Sequence, residues 1–139
     1  MSTFKRSFLI RKPVEQVYRT LSDVEEYETF IPYCIESKII DEQSDFSLVT
    51  LNLEFFGIQT SFTTKNVVKL NKSIEMELID GPFEKFRSSW RLEEVDKETT
   101  NLSFEMSYQM KNKILEMAFK KNLNAVSDSI VEAFKSRLN

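Results

Sequence analysis

The side chains in this sequence that are best suited to contact a ligand are neutral polar residues in the middle of the chain. Thr60, Thr64 and Asn66 recur at even spacing within one run, and Ser88 and Tyr108 hold similar positions in two later runs. Each can form hydrogen bonds, yet each stands in a row of apolar residues. Two interpretations stay open at this point. The groups bond to one another or to trapped water in a filled core, or they face a cavity whose ligand carries acceptor atoms.

Catalytic chemistry is restricted by what the chain lacks. It contains no histidine, which excludes an imidazole base, a Ser–His–Asp triad and a His-rich metal site. Its two glycines leave no phosphate-binding loop. Cys34 is the single cysteine, has no neighbour that would lower its pKa, and is interpreted as a small core residue. We therefore predict a protein that is not an enzyme, with no catalytic residues, no metal and no cofactor other than a ligand that it binds.

Two periodicities predict the elements that would hold these groups. A first strand is expected at 3–10 and a helix from Pro13, with apolar residues at helical spacing as far as Leu21. Ser22 and Glu25 resemble a capping box that opens a second short helix, which Pro32 ends. From Cys34 onward the period falls to two and predicts six strands joined by short turns. They are 34–41, 46–56, 58–70, 73–79, 84–95 and 100–110.

Residues 112–138 contain neither glycine nor proline and predict one long helix. The fold class is therefore α+β: a curved seven-stranded antiparallel sheet around a long C-terminal helix, in a single domain of residues 1–139. A long helix laid in the concave side of a twisted sheet encloses a volume. The candidate ligand-binding residues come from the inward rows of the strands, the bend at "YETFIPYC", the turn "DGPF" and the apolar stripe of the last helix. They are Phe30, Pro32, Tyr33, Leu51, Leu53, Phe55, Thr60, Phe62, Thr64, Asn66, Met76, Phe83, Phe86, Ser88, Trp90, Phe104, Met106, Tyr108, Leu115 and Phe119.

The start of the last helix, "NKILEMAFKK", has apolar residues away from its main apolar stripe. Ile114 and Met117 fall off that stripe, which indicates either packing against the short helices or a surface for an anionic membrane. Four basic residues flank them, namely Lys111, Lys113, Lys120 and Lys121. The N-terminal residues lack the features of a signal peptide, and no apolar run is long enough to span a membrane. We expect a cytoplasmic protein, with peripheral contact at the inner membrane as the further possibility.

Charge is distributed unevenly along the chain, although the net charge is only -3. Residues 1–19 hold five basic and one acidic side chain, and residues 111–139 hold six basic and three acidic ones. Residues 20–110 hold eight basic and eighteen acidic side chains. A well-solvated surface is the simpler interpretation, and a basic region formed by the two ends is the alternative. We expect no DNA partner.

Three segments carry a family resemblance that extends from about Phe4 to Phe134. They are "VEQVYRTLSDVEEYETFIPYC", "FFGIQTSFTTKN" and "IEMELIDGPFEKFRSSWRL". Together they resemble the coenzyme Q-binding and ribosome association toxin family, also called polyketide cyclase-like, of the START-like helix-grip superfamily. Glu28 and Tyr33 stand where the family pattern has proline and tryptophan, so the aromatic contact at Tyr33 is smaller.

The resemblance implies two different functions. In one, the protein binds ubiquinone or another prenyl lipid and supports respiratory electron transport as a carrier or chaperone. Thr60, Thr64, Asn66, Ser88 or Tyr108 would then bond the quinone oxygens, and each buried CH₂ of the tail would add about 0.8 kcal/mol. In the other, the protein meets a ribosomal subunit and blocks 30S–50S association. An acidic protein suits a ribosomal RNA surface only if its two basic ends meet. A polyketide cyclase-like enzyme is the third possibility.

Overall fold

The computed structural model describes residues 2–55 and 57–138. Within these ranges seven strands form one antiparallel sheet, and a long helix covers one of its faces. The strands are β1 Ser2–Ile10, β2 Cys34–Glu42, β3 Ser47–Phe55, β4 Ile58–Lys69, β5 Ser73–Asp80, β6 Phe83–Asp96 and β7 Thr99–Met110. The helices are α1 Val14–Ser22, a 3₁₀ turn Val24–Glu26, α2 Tyr27–Phe30 and α3 Lys113–Leu138.

The strand order is β1-β7-β6-β5-β4-β3-β2, so β1 and β2 form the two edges. Strands β2 to β7 follow one another as a meander, because short turns join neighbours in the sheet. The predicted fold class is confirmed, and most element boundaries differ from the predictions by one residue at most. Phe56, the last residue of one predicted strand, lies outside the described residues.

The predicted capping box at Ser22 is wrong. Ser22 is the last residue of α1, and its hydroxyl donates to the Arg19 carbonyl at 3.3 Å. Glu25 does not cap a helix either, since its carboxylate accepts the Ile39 backbone N–H of edge strand β2 at 3.3 Å. The second short helix is consequently split into a 3₁₀ turn and the four-residue α2. This segment is stabilised by hydrogen bonds to β2, and not by the local capping box that the sequence pattern suggested.

Alternation along the strands places most predicted inward residues on the covered face. At the ends of β4, Ile58 and Val68, with Leu70 just beyond the strand, share this face but are exposed. They lie where the sheet extends beyond the elements that cover it. The middle of β4, from Phe62 to Asn66, contributes the buried residues of that strand.

Two clusters of buried residues fill the space under the helices. The first core cluster lies beneath α1 and the C-terminal half of α3, and consists of Ile10, Val14, Val17, Leu21, Ile74, Trp90, Leu92, Leu102, Phe134 and Leu138. The second core cluster lies beneath the N-terminal half of α3, and consists of Phe4, Phe62, Phe83, Met106, Tyr108, Met110 and Phe119. The two halves of α3 therefore cover different sets of side chains.

Candidate ligand-binding site

Aromatic rings from several strands and from α3 build the second core cluster. The Phe62 ring lies 4.7 Å from that of Phe86 and 5.3 Å from that of Phe83, measured between centroids. Phe119 of α3 meets Tyr108 edge to face at 5.2 Å. Such edge-to-face pairs stabilise a packed interior beyond their buried area. The rings leave a small gap at one end of the sheet.

That gap opens between the β3–β4 hairpin, the β5–β6 turn and the start of α3. It is enclosed on most sides and almost wholly apolar, with a volume of about 20 Å³. This is room for about one water molecule, whereas sites for small organic ligands measure hundreds of Å³. A ligand can enter only if side chains or the start of α3 move. The lining residues are Leu53, Phe55, Ile58, Thr60, Pro82, Phe83, Met110, Leu115 and Phe119.

Three of the predicted polar residues belong to the filled core. Thr64 donates a hydrogen bond of 2.6 Å to the amide oxygen of Asn66, and both side chains are buried. The Ser88 hydroxyl donates to the sulfur of Met76 at 3.7 Å. These partners satisfy the hydroxyls internally, which favours the first of the two interpretations for this part of the sheet. Thr60, in contrast, lies at the gap.

Tyr108 is the exception among the buried polar side chains. Its side chain is fully buried, and its hydroxyl has no hydrogen-bond partner within the described part of the chain. The pKa of Tyr108 is raised, first by burial, while the nearby Ser2 side chain lowers it and the Glu116 carboxylate raises it. The Ser2 side chain thus lies near enough to the Tyr108 hydroxyl for a weak hydrogen-bonding interaction that lowers the pKa, although the two groups do not reach full hydrogen-bond geometry. A buried hydroxyl without a full hydrogen-bond partner destabilises the folded protein.

Tyr33 stands at the rim in an uncommon backbone conformation. Its φ is 71°, in the left-handed region that residues other than glycine rarely adopt. The Tyr33 carbonyl accepts the Glu54 N–H at 2.9 Å, and its ring stacks on Phe55 at 5.0 Å. The sheet and the gap-lining Phe55 therefore hold Tyr33 in place.

Cys34 has the surroundings of a structural thiol. It is buried, and its sulfur donates to the Glu36 carbonyl at 3.6 Å. Burial raises its pKa to about 11; Glu28 adds to the shift, while the Glu36 backbone and Ser37 oppose it. At neutral pH the thiolate is therefore scarce, which agrees with the sequence-based interpretation.

The start of α3 carries large apolar side chains in solvent. Ile114 is 81% exposed and Met117 is 73% exposed, so the predicted alternative of packing against the short helices is wrong. The lysines at positions 111, 113, 120 and 121 are exposed as well. None of the helices within the described ranges is long and apolar enough to cross a membrane.

A family model described as polyketide cyclase / dehydrase and lipid transport matches residues 10–135. The chain belongs to this family. The predicted resemblance is confirmed, and its two branches both occur among the relatives.

The curated relatives carry two kinds of name. The ribosome association toxin RatA of Escherichia coli K12 is 31% identical over 137 residues, covering 99% of this chain and 87% of the relative. The mitochondrial coenzyme Q-binding protein COQ10 of Dictyostelium discoideum is 28% identical over 132 residues, covering 92% of this chain and 64% of the relative.

Solved structures agree on the fold at low sequence identity. The Zhui aromatase/cyclase of Streptomyces sp. R1128 has a TM-score of 0.85 at 16% identity, covering 99% of this chain and 93% of its own. A START superfamily protein of Mycobacterium smegmatis also has a TM-score of 0.85, at 18% identity, covering 98% and 96%. The START-like helix-grip fold of this family member is thereby established.

The predicted site residues divide into three groups within this family fold. Those at the gap itself are Leu53, Phe55, Thr60, Phe83, Leu115 and Phe119. Those packed around it in the second core cluster are Leu51, Phe62, Phe86, Phe104, Met106 and Tyr108, with Tyr33 stacked at the rim. Those away from it are Phe30, Met76 and Trp90 in or against the first core cluster, and Thr64, Asn66 and Ser88 in internal hydrogen bonds. Phe104 contacts both clusters, and Pro32 is half-buried in the bend.

Phe30 shows that the bend at "YETFIPYC" contributes only in part to the rim of the gap. Its ring meets Phe134 edge to face at 5.3 Å and lies beneath the Arg137 guanidinium at 5.0 Å. It therefore packs under the far half of α3. The prediction also missed three gap-lining residues, Ile58, Pro82 and Met110. Ile58 and Met110 ended inward-facing rows and Pro82 stood in the "DGPF" turn, so the sequence held signals for all three.

Proposed function

We propose that this protein binds a hydrophobic small molecule, ubiquinone or another prenyl lipid, between the sheet and the N-terminal half of α3. The chain acts as one non-catalytic domain of residues 1–139, a carrier or chaperone that supports respiratory electron transport. The observation that carries this proposal is the apolar gap beneath the start of α3. Its lining is aliphatic and aromatic, as a prenyl chain requires.

Unequal packing along α3 supports the entry of such a ligand. Beyond Asn122, the helix buries Val126, Phe134 and Leu138. Before it, Phe119 is the buried side chain and Leu115 is partly buried. A segment with few buried contacts opens at a lower free energy than the rest of its domain. Outward movement of this half would enlarge the gap, and a polyprenyl tail would contribute about 0.8 kcal/mol for each buried CH₂.

Two polar groups support the proposal of a bound quinone head group. Thr60 lines the gap, and the ring of Tyr108, whose hydroxyl has no hydrogen-bond partner in the described chain, contacts the gap-lining Phe119. A quinone offers acceptor oxygens and no strong donor, which suits hydroxyl partners. The likeness to a coenzyme Q-binding protein gives independent support.

We propose no catalytic step. The chain has no histidine, and the Cys34 thiol has a raised pKa. The likeness to an aromatase/cyclase is at 16% identity and concerns the fold alone. We place the protein in the cytoplasm, in peripheral contact with the inner membrane.

Ligand binding is tested directly with a matched pair of variants on adjacent residues of α3. Leu115→Gln puts an amide into the gap, whereas Ile114→Gln makes the same change at a position in solvent. Purified protein is extracted with organic solvent for mass spectrometry, and a short-chain ubiquinone analogue is titrated against each variant by intrinsic tryptophan fluorescence. We expect binding to the wild type and to Ile114→Gln, and an affinity about tenfold lower for Leu115→Gln.

The contrary result is equally clear. An absence of prenylquinone in repeated extracts, together with no binding of the added analogue, would overturn the proposal. Equal affinities for the two variants would move the ligand away from the gap. Thermal melts of both variants, followed by circular dichroism, separate lost binding from lost folding.

A ribosome-directed role is the second candidate, favoured by 31% identity to a ribosome association toxin over nearly the whole chain. The two basic ends are neighbours: Arg6 of β1 reaches Asn124 of α3 at 3.1 Å and Asp128 at 3.5 Å. Excess protein added to dissociated 30S and 50S subunits should then reduce the 70S peak in sucrose gradients. An unchanged profile at low salt excludes this role.

A further inference from the structure

The start of α3 turns a separate face away from the gap. At 100° per residue, five positions fall within an arc of about 120°. Leu115 and Phe119 project from the opposite side, towards the gap. The outward set is Lys113, Ile114, Met117, Lys120 and Lys121, preceded by Lys111, and we call it the docking face.

The docking face combines unusual apolar exposure with free positive charge. Ile114 and Met117 are 81% and 73% exposed. Within the part of the chain that the structure describes, none of its lysines lies within 4.0 Å of a carboxylate. Glu116 belongs to the same turns, but its carboxylate accepts the Met110 backbone N–H at 3.3 Å and it is partly buried. The face is therefore cationic with an apolar centre.

An anionic bilayer interacts favourably with both the positive charge and the exposed apolar side chains of the docking face. Lysines are attracted to anionic head groups, and aliphatic side chains between them enter the boundary between head groups and acyl chains. Ribosomal RNA would attract the same lysines through its phosphates but offers little to exposed Ile and Met side chains. The acidic middle of the chain, residues 20–110, is repelled by an anionic surface, so charge alone orients the molecule with α3 foremost.

The docking face and the gap share one end of the molecule. Ile58, which lines the gap, is 48% exposed, and Leu115 lines the gap from the turn that carries Ile114. We propose that the docking face seats the protein on an anionic membrane with the mouth of the gap against the bilayer. A prenyl lipid then passes between membrane and protein without crossing water. This inference rests on the proposed function, since it names the partner of the same site.

Vesicle co-sedimentation of the full chain tests the docking face. The vesicles are phosphatidylcholine, with or without phosphatidylglycerol. Two variants alter the face, Ile114→Gln with Met117→Gln, and Lys113→Gln with Lys120→Gln and Lys121→Gln. The matched control is Leu70→Gln, at the opposite end of β4, where the side chain is 73% exposed and lies between Lys69 and Lys72 in sequence.

We expect wild type and Leu70→Gln to bind anionic vesicles, and both docking-face variants to bind them at least about tenfold more weakly. All four proteins should bind the soluble ubiquinone analogue equally. No vesicle binding by wild type, or the same loss in Leu70→Gln, overturns the docking face while the ligand proposal stands. Vesicle binding without binding of the analogue retains the face as a membrane contact but overturns its role in ligand transfer. Binding of a ribosomal RNA fragment in place of vesicles, lost in the same variants, assigns the face to RNA and overturns it as a membrane contact.

Discussion

Tyr108 is the residue whose chemistry is least explained by packing. The sequence placed five neutral polar groups on inward rows without distinguishing them. The structure separates them by partner: Thr64 and Asn66 bond each other, Ser88 bonds a sulfur, and Tyr108 bonds nothing within the described chain. The residue pattern could not make this distinction, because the Thr64–Asn66 bond depends on side-chain rotamers and the Ser88–Met76 bond joins two different strands.

Tyr108→Phe should therefore stabilise the ligand-free protein. Removing a buried hydroxyl that lacks a partner recovers its desolvation penalty, about 1 kcal/mol. The same change should weaken binding of a ubiquinone analogue about tenfold while leaving binding of a plain hydrocarbon chain unaltered, because only the quinone carries an acceptor. Urea denaturation gives the first quantity and fluorescence titration the second.

Tyr27 supplies the matched control. Its hydroxyl donates to the Leu21 carbonyl, and burial raises its pKa. Tyr27→Phe should accordingly destabilise the protein, by about 1 kcal/mol, with no effect on quinone affinity. Loss of stability in both variants would mean that the Tyr108 hydroxyl has a partner in solution, and would remove the argument for its role.

At the scale of elements, the β5–β6 turn shapes the gap from below. Gly81 has a φ of 155°, and a Cβ built on it would lie 3.0 Å from Cδ2 of Phe62. Phe62 cannot yield easily, because Phe83 and Phe86 hold its ring. The turn is thus bound to the aromatic wall of the second core cluster.

Gly81→Ala should destabilise the protein by about 2 kcal/mol, through backbone strain and the displaced Phe62 ring. Gly57→Ala is the control: its φ of 80° also disfavours alanine, but nothing lies within 4 Å of the added Cβ. The free energy of unfolding should fall by about 1 kcal/mol in Gly57→Ala, because this variant suffers only the backbone strain of a positive φ. Urea midpoints of the two variants measure the difference, and equal losses would show that the Phe62 contact is unimportant.

Element boundaries were predictable wherever periodicity decided them. Strands β2 to β7 and helix α3 came out within one residue of the described boundaries, because alternation and the turn residues act locally. The boundaries of the short segment after α1 were not predictable. The carboxylates of Glu25 and Glu28 accept the backbone N–H groups of Ile39 and Ser37 in β2, more than eight residues away. A local capping rule has no access to such partners.

In the whole molecule, the two core clusters differ in how tightly they are packed beneath α3. Phe134 is surrounded by Tyr27, Phe30 and Trp90, with ring centroids 5.2 to 5.6 Å away. Phe119 borders the gap and belongs to the half of α3 that buries fewer side chains. Stability thus resides mainly in the first cluster, and adaptability in the second. The sequence indicated an apolar interior. It could not indicate the division into two clusters or the size of the gap, because both depend on side-chain rotamers and on the position of α3.

Phe134→Ala should lower the free energy of unfolding by about 4 kcal/mol, and Phe119→Ala by about half as much, because the start of α3 can settle into the space left. Quinone affinity should fall for Phe119→Ala and persist for Phe134→Ala below its melting temperature. Urea unfolding and fluorescence titration measure the two effects. Equal losses of stability would contradict the division.

The order of the strands carries a consequence for chain entropy. Each hairpin of the meander closes over a short turn, such as the one between Asp96 and Thr99. Edge strand β1 instead joins β7 across ~90 residues, from Ile10 to Thr100. Because the entropic cost of loop closure grows with the logarithm of loop length, pairing β1 with β7 costs about 3 kcal/mol more free energy than closing a hairpin does. The ladder of β1 and the burial of Phe4 and Ile10 must offset that loss, so β1 is the strand that depends most on all the others being in place.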